Sequence, residues 1–530
     1  MPIPSSARRC TPAVLAALLL ALPVRAAPPA SQPATDDRAR LAVVGFDIAA
    51  EVDARDAWVA VAFEEVLTWK LRRSAQLCTM PTIRAHQGRM ELTDDPNQPP
   101  PWPRVLGELG MTHWLSGRCT GTPASMSVTL RLARLSSAGG AVATTEIGPA
   151  RLSDVLEGAR TWILGELAPS APASTAVPPP VMPTDSLTAL EYFSRAVLAV
   201  RQERVAEALR LADDAIDVDP RFRAAHGLVA QLELRTGRAG RGAATRRLRA
   251  VLSSAQSGGD TLDRANAELA LSMIAQADGF ADGARVRAET ALALATEARD
   301  VFGQIAALGW LGDLALAQAQ ALATADGDAD RDAVRARLED SRAWQQQLIA
   351  LLEHIGDRLA TMPALSKLAM TCERLGDAPA ALALHERVLT LSRELGSKPH
   401  EATAWMQLGQ HYRMRGQWSE AINATRRCAE LAGEAAQPAL HIALAELHAG
   451  AGQDAEALRY YESAHAALRD SPELMSQFVC LREMARMQRK LDRRADARRS
   501  LQDALDIARV LELPEREALE QELAALKRGD

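Results

Sequence analysis

The residues of this chain best suited to covalent or metal chemistry are few and widely spaced. His385-Glu386 has the start of a zinc-hydrolase motif, but no second His follows at the helical spacing that would put two imidazoles on one face. His441 and His448 stand seven apart on one helical stretch, where packing and surface roles are far commoner than ligation. The run Asp326-Gly327-Asp328-Ala329-Asp330-Arg331-Asp332 carries alternate aspartates, as a calcium loop does. Arg331 stands where that loop needs Gly and Arg337 where it needs a bidentate Glu, so the run reads as a solvated loop. There is no H-E-x-x-H, paired C-x2-C, P-loop, G-x-G-x-x-G before a helix, or G-x-S-x-G. The sequence therefore predicts no catalytic residues, no metal and no cofactor.

Non-covalent recognition is better represented. Arg482, Arg486 and Arg489 recur at helical spacing beside Lys490, a basic face able to receive an acidic peptide or a terminal carboxylate. A second run, Arg235, Arg238, Arg241, Arg246, Arg247 and Arg249, contains no acid and could touch lipid phosphates, a peripheral membrane contact at most. The whole chain is nonetheless acidic, with a formal charge of -6, which gives no general attraction to nucleic acid.

The elements that must carry these faces are helical. Aromatic residues are only 4% of the chain, so the core is built from Leu, Val and Ala, which suits closely packed helices. In AWMQLGQHYRMRGQWSEAINATRRCAEL, residues Trp405, Leu408, Gly409, Tyr412, Gly416 and Ala421 hold the spacing W-x2-L-G-x2-Y, with a small residue on the following helix. This resembles the tetratricopeptide repeat (TPR), whose paired helices approach closely only where side chains are small, so Gly409 is expected to face Ala421. Related units continue along residues 185–512, eight in all, the later ones 36 to 40 residues apart, and residues 513–530 form a capping helix. The fold class is mainly α, a TPR α-solenoid preceded by a small α/β domain.

The resemblance implies a binding groove lined by the first helix of each repeat, with a protein or peptide as its partner. Its candidate residues are Ser366, Met370 and Glu373, then Thr403, Met406, Gln410 and Arg413, then Ile442 and Glu446, then Arg482, Arg486 and Arg489.

Residues 39–167 read differently. Leu41 to Phe46 is a short buried strand, and Ala57 to Arg72 a helix with Trp58, Val61, Ala62, Val66 and Trp69 on its apolar side. A strand at Leu77 to Met80, a Pro-rich loop and a short helix ending at Gly110 follow. Strands at Thr112 to Thr120, Ser127 to Leu135 and Thr144 to Ile147 come next, the last two an antiparallel pair about Gly139-Gly140. Leu41 to Phe46, Phe63 to Leu67 and Leu106-Gly107-Glu108-Leu109-Gly110-Met111-Thr112-His113-Trp114-Leu115-Ser116-Gly117 make this stretch similar to the TolB amino-terminal-like domain, found ahead of tetratricopeptide arrays. Residues 168–184 form a Pro-rich linker, extended at about 3.1 Å per residue, which predicts two parts that move independently.

Arg8-Arg9, the apolar run Ala13 to Leu22 and Val24-Arg25-Ala26 read as a secretory signal peptide over residues 1–26, implying a periplasmic protein with no transmembrane segment once the signal is removed. Export would place Cys78 and Cys119 in an oxidising compartment, where they could bridge if their strands are neighbours. The sequence thus describes a non-enzymatic exported scaffold. The alternative is the sensory module of an envelope signalling system whose effector is a separate protein.

Overall fold

The computed structural model describes residues 38–49, 56–74, 76–92, 101–135, 142–169, 182–235, 238–258, 260–324, 330–469 and 471–528. The expected signal peptide, the expected Gly139-Gly140 turn, most of the expected linker and the first aspartates of the acidic loop lie outside them.

The amino-terminal domain contains β1 (Ala39–Ile48), α1 (Trp58–Arg72), β2 (Leu77–Thr79), α2 (Thr82–Leu92), α3 (Trp102–Glu108), β3 (His113–Thr122), β4 (Ser125–Arg134), β5 (Val142–Ala150) and α4 (Leu152–Leu167). Its sheet has the order β2-β1-β3-β4-β5, parallel across β2, β1 and β3 and antiparallel from β3 to β5. Alternation along β1 sends Leu41 and Val43 to the face covered by α1 and α4, and Ala42 and Val44 to the face covered by α2 and α3. Two helices were not anticipated: α2, which occupies the start of the expected Pro-rich loop, and α4. Cys78 on β2 and Cys119 on β3 do not form the conditional bridge. Both strands flank β1, so they stand two ladder spacings apart, roughly 9.6 Å, beyond disulfide reach, and both thiols are buried and outside any disulfide.

Eight antiparallel helix pairs follow. They are α5 (Leu187–Arg201) with α6 (Val205–Val218), α7 (Arg223–Arg235) with α8 (Arg238–Ser257), α9 (Thr261–Ala277) with α10 (Ala281–Glu297), and α11 (Val301–Thr324) with α12 (Arg331–Ile355). Then come α13 (Arg358–Arg374) with α14 (Ala378–Glu394), α15 (Lys398–Met414) with α16 (Trp418–Leu431), α17 (Gln437–Gly450) with α18 (Asp454–Leu468), and α19 (Leu474–Lys490) with α20 (Arg494–Val510). A last helix, α21 (Arg516–Arg528), closes the array. The small residues expected at the helix contacts are sealed: Ala208, Ala284, Ala381, Ala421, Ala457 and Ala497 are each 0% exposed. Gly409 sits closest to Thr425 instead of Ala421; a Cβ there would lie 2.8 Å from the Thr425 hydroxyl and 3.5 Å from the Ala421 carbonyl. Helix α11 is long and apolar enough to cross a membrane, which the sequence reading did not anticipate. Its apolar surface is partly spent between α10 and α12 in the solenoid core.

The expectation of two independently moving parts is overturned. Helix α1 lies between the sheet and α5, and Leu41, Phe63, Leu67, Ala189, Leu190 and Phe222 share one continuous core. On the other face Val44, Met80, Trp102 and Leu109 join Val301, Trp344, Leu352 and Leu395 in a second. The far end of the linker is fixed too, because the buried Thr184 hydroxyl donates to Asp219 at 2.6 Å.

Candidate functional site

Helix α1 explains the packing. It buries Trp58, Val59, Ala60, Val61, Ala62, Phe63, Val66 and Leu67, together with Glu64, Thr68 and Lys70, so it is buried on every side and must be covered on both. Its basic end then meets the turns that begin the first helices of successive repeats. Arg73 reaches Asp260 at 2.9 Å and Asp263 at 2.8 Å, at the start of α9. Arg72 reaches Asp300, just before α11, at 2.7 Å. From α2, Arg84 grips both oxygens of Asp357, at the start of α13, at 3.0 and 3.2 Å.

Asp260 and Asp357 are N-caps, accepting from the amides of Asp263 and Ala360, so each carboxylate already sits in the positive field of a helix start. The arginines of the α/β domain add a second cation to carboxylates the solenoid needs for itself. In the reverse direction Arg201 of α5 donates to Glu64 at 2.8 Å and Glu65 at 2.7 Å, and Arg358 to Glu108 at 3.1 Å. Burial alone would raise the Glu64 carboxyl, but Arg201 and His86 overcome it and hold it below the usual carboxylate range. Asp260 follows the same logic, its burial outweighed by Arg73, its amide bond and Arg223. At Gly110 backbone meets backbone: φ is +75°, and a Cβ would lie 1.8 Å from the Ile355 carbonyl oxygen.

A cavity of about 320 Å³ opens in this seam between α1, α5, α7 and α9. Phe193, Phe222 and Val251 supply apolar wall, and Arg72, Arg73 and Arg201 polar wall. Thr68, also in the wall, is buried with a hydroxyl that has no partner among the described residues.

The candidate groove residues divide into three groups. Met370 and Met406 are exposed apolar side chains on α13 and α15, beside Gln410 and Arg413, which are exposed and make no side-chain hydrogen bond or ion pair among the described residues. Ser366 and Ile442 are half-buried, and Thr403 and Glu446 exposed. The basic face of α19 is already compensated. Arg482 and Arg486 share Glu483 at 3.1 and 2.6 Å, Arg489 pairs with Glu522 at 3.1 Å and Lys490 with Asp454 at 2.8 Å. Two arginines of the second basic run are likewise engaged: Arg241 pairs with Asp278 of the next repeat, and Arg247 with Asp213 of the preceding one and Glu233.

Glu373 turns inward. Its Oε1 stands 2.9 Å from Nδ1 of His411 on α15 and 3.3 Å from Nε2 of His385 on α14, and both imidazoles are buried. Burial would raise the Glu373 carboxyl, but the two histidine hydrogen bonds hold it below the usual range. Burial pushes His411 below the usual imidazole value despite that carboxylate, so a neutral ring donates to an ionised acid. The second His that His385 lacks along its own helix is supplied through space by the next repeat. Glu373 and His411 lie 38 residues apart, one repeat length, which is the sequence signal that would have joined them.

Residues 360–434, spanning α13 to α16, match the family model for the tetratricopeptide repeat. No curated protein matches the chain. Among solved structures, a signal-transduction ATPase with a tetratricopeptide repeat sensor from Pyrococcus horikoshii is similar at 17% identity, over 65% of this chain and 50% of that one, with a TM-score of 0.43. The chain therefore spans about half the length of that protein. The apo form of RapI is similar at 11% identity, over 64% of this chain and 97% of that one, with a TM-score of 0.44.

Proposed function

We propose that this tetratricopeptide-repeat chain is a non-enzymatic, exported scaffold that holds a protein or peptide along the inner face of its later repeats, with the α/β domain fixed across the earlier ones. Protein interaction is the general use of such repeats, and the observation that carries the finer reading is the face of α13 and α15. There two exposed methionines stand beside Gln410 and Arg413, the latter unpaired among the described residues. An apolar surface next to a free guanidinium suits a segment with an apolar side chain and a nearby carboxylate. The similarity of residues 39–167 to the TolB amino-terminal-like domain is in keeping with an envelope role.

A photo-crosslinker at Gln410, in the native host, tests this reading. One envelope protein should be captured, and Arg413→Glu should abolish the capture without changing helicity; capture indifferent to that charge reversal would refute it. For export, mass spectrometry should find a mature chain starting near Ala27, and an intact Met1 in the envelope fraction would count against it.

The second reading, a sensory module working through a separate effector, is favoured by the seam. Its cavity joins the α/β domain to three repeats, so an occupant would bind both parts at once and shift their docking equilibrium. That reading expects a ligand-dependent change in protease sensitivity at the seam, and unchanged digestion under every condition would remove it.

A further inference from the structure

We infer that Glu373, His385 and His411 form a binding site for a divalent transition-metal ion of the zinc class, clipping the fifth repeat to the sixth. The three side chains come from α13, α14 and α15, and one donor atom from each lies within 4.8 Å of the other two. Oε1 of Glu373 is already 2.9 Å and 3.3 Å from the two ring nitrogens. Donors about 2.0–2.1 Å from a tetrahedral zinc ion stand roughly 3.4 Å from one another, so two of the three separations need little adjustment. Two imidazoles and one carboxylate are a donor set for zinc and its neighbours; magnesium and calcium take oxygen shells.

The approach is from the Glu373 side, since that side chain keeps 15% of its surface and the two histidines only 2% each. Three protein ligands leave a fourth position open, on the side of the only ligand that reaches solvent. Met370 lies one turn before Glu373, and Gln410 adjoins His411 in sequence. The site is therefore beside the face assigned above to a protein partner, but its existence does not depend on that assignment.

The same geometry sets the affinity scale. Ligating histidines usually donate their second nitrogen to an acceptor, and losing that contact costs about 10–100-fold in metal affinity. Nδ1 of His385 is buried with no partner among the described residues. Binding is therefore expected to be about that factor weaker than at a fully supported zinc site of the same ligands.

The full chain, stripped with a chelator and dialysed, is titrated with zinc chloride by calorimetry, and its thermal midpoint is read with and without the metal. One tight equivalent that raises the midpoint is expected, with magnesium chloride giving neither signal. His385→Gln and Glu373→Gln, each checked for native helicity by circular dichroism, should both lose that equivalent. The metal should also slow hydrogen exchange in α13 and α15 and leave α19 unchanged. No zinc bound, or an equivalent retained in either variant, would overturn the assignment. If one variant unfolds, the other together with the exchange pattern decides.

Discussion

The first six repeats and the last two are made of the same helix pairs but are held in different ways. Helices α5 to α7 share one continuous core with the sheet domain and helices α10 to α16 another, and the turns before α9, α11 and α13 are each gripped by an arginine of that domain. Beyond α16 the apolar clusters become small, each joining neighbouring helices only: Ala421 with Leu444, Tyr461 with Met484, Leu481 with Leu505 and Leu519. A solenoid is close to one-dimensional because each repeat touches only its neighbours. In this chain the α/β domain removes that property from one half by linking non-adjacent repeats. The difference separates a stiff end, which carries the face of α13 and α15, from an end free to change curvature.

Acid should break the comparison most completely, because it acts on several seam contacts together. Glu64 and Asp260 titrate below their ordinary values of 4.5 and 3.8 in the folded protein. A carboxyl with a lowered folded pKa contributes stability that is complete above its unfolded value and lost as pH falls through the folded one. Docking should therefore be intact at neutral pH, weaken below about pH 4.5 and fail as pH drops further. Hydrogen exchange along α1 and the α12–α13 turn should then accelerate before that of α17 to α20. Simultaneous loss at both ends would mean that the two halves are one cooperative unit.

Gly110→Ala comes next. The substitution places a methyl group on the Ile355 carbonyl and forces a left-handed backbone on a residue with a side chain. Overpacking and the conformational cost together amount to roughly 4 kcal/mol. The loss should appear as protease cleavage in the seam with the circular dichroism of the solenoid nearly unchanged. A protein that stays protected at the seam would show that the backbone contact at Ile355 is dispensable.

The repeats were readable in the sequence because their signal is local: the close approach of two helices needs a small residue at a fixed spacing, and Ala421, Ala457 and Ala497 supply it. Strand β4 was readable for a similar reason, alternation with a period of two, and β1 as a short continuous apolar run. The seam was not. Arg73, Arg72 and Arg84 meet carboxylates 187, 228 and 273 residues away, and nothing in an arginine-rich chain marks those three among the rest. One sign was present in α1, whose Val59, Ala60, Phe63 and Leu67 lie off the single apolar side assigned to it. A helix with apolar residues on opposite sides has to be covered twice, and the second cover was the solenoid. The candidate site was half readable: Met370, Met406, Gln410 and Arg413 present themselves, whereas Glu373 had a conflicting engagement with two histidines one helix and one repeat away.

Arg84→Ala sharpens the contrast at one turn. Asp357 is 2% exposed, so the substitution would leave a buried carboxylate with only its helix-start amide for company. Stranding one member of a buried pair costs about 3 kcal/mol, the lower end of the usual range being apt where Arg84 keeps partial solvent contact. A double-mutant cycle with Asp357→Asn should recover a large part of the loss, because the neutral amide no longer needs the cation. Additive losses in that cycle would mean that Arg84 acts mainly through Glu91.

Gly409→Ala probes the sixth repeat, at the far edge of the docked core, where the expected effect is smaller because the nearest obstacle is a side-chain hydroxyl. The new Cβ would stand 2.8 Å from the Thr425 hydroxyl, a side-chain atom that can rotate away, and 3.5 Å from the Ala421 carbonyl. The helix gains intrinsic propensity from Ala while the contact loses fit, so a net cost of about 1 kcal/mol is expected, at the low end for overpacking. The loss should be confined to α15 and α16 in a hydrogen-exchange map, with α1 and the seam unaffected. A substitution at Gly409 that also loosened α1 would show that strain travels from the edge of the docked core into the seam. The partition between a stiff half and a pliant half would then have to be replaced by a single elastic body.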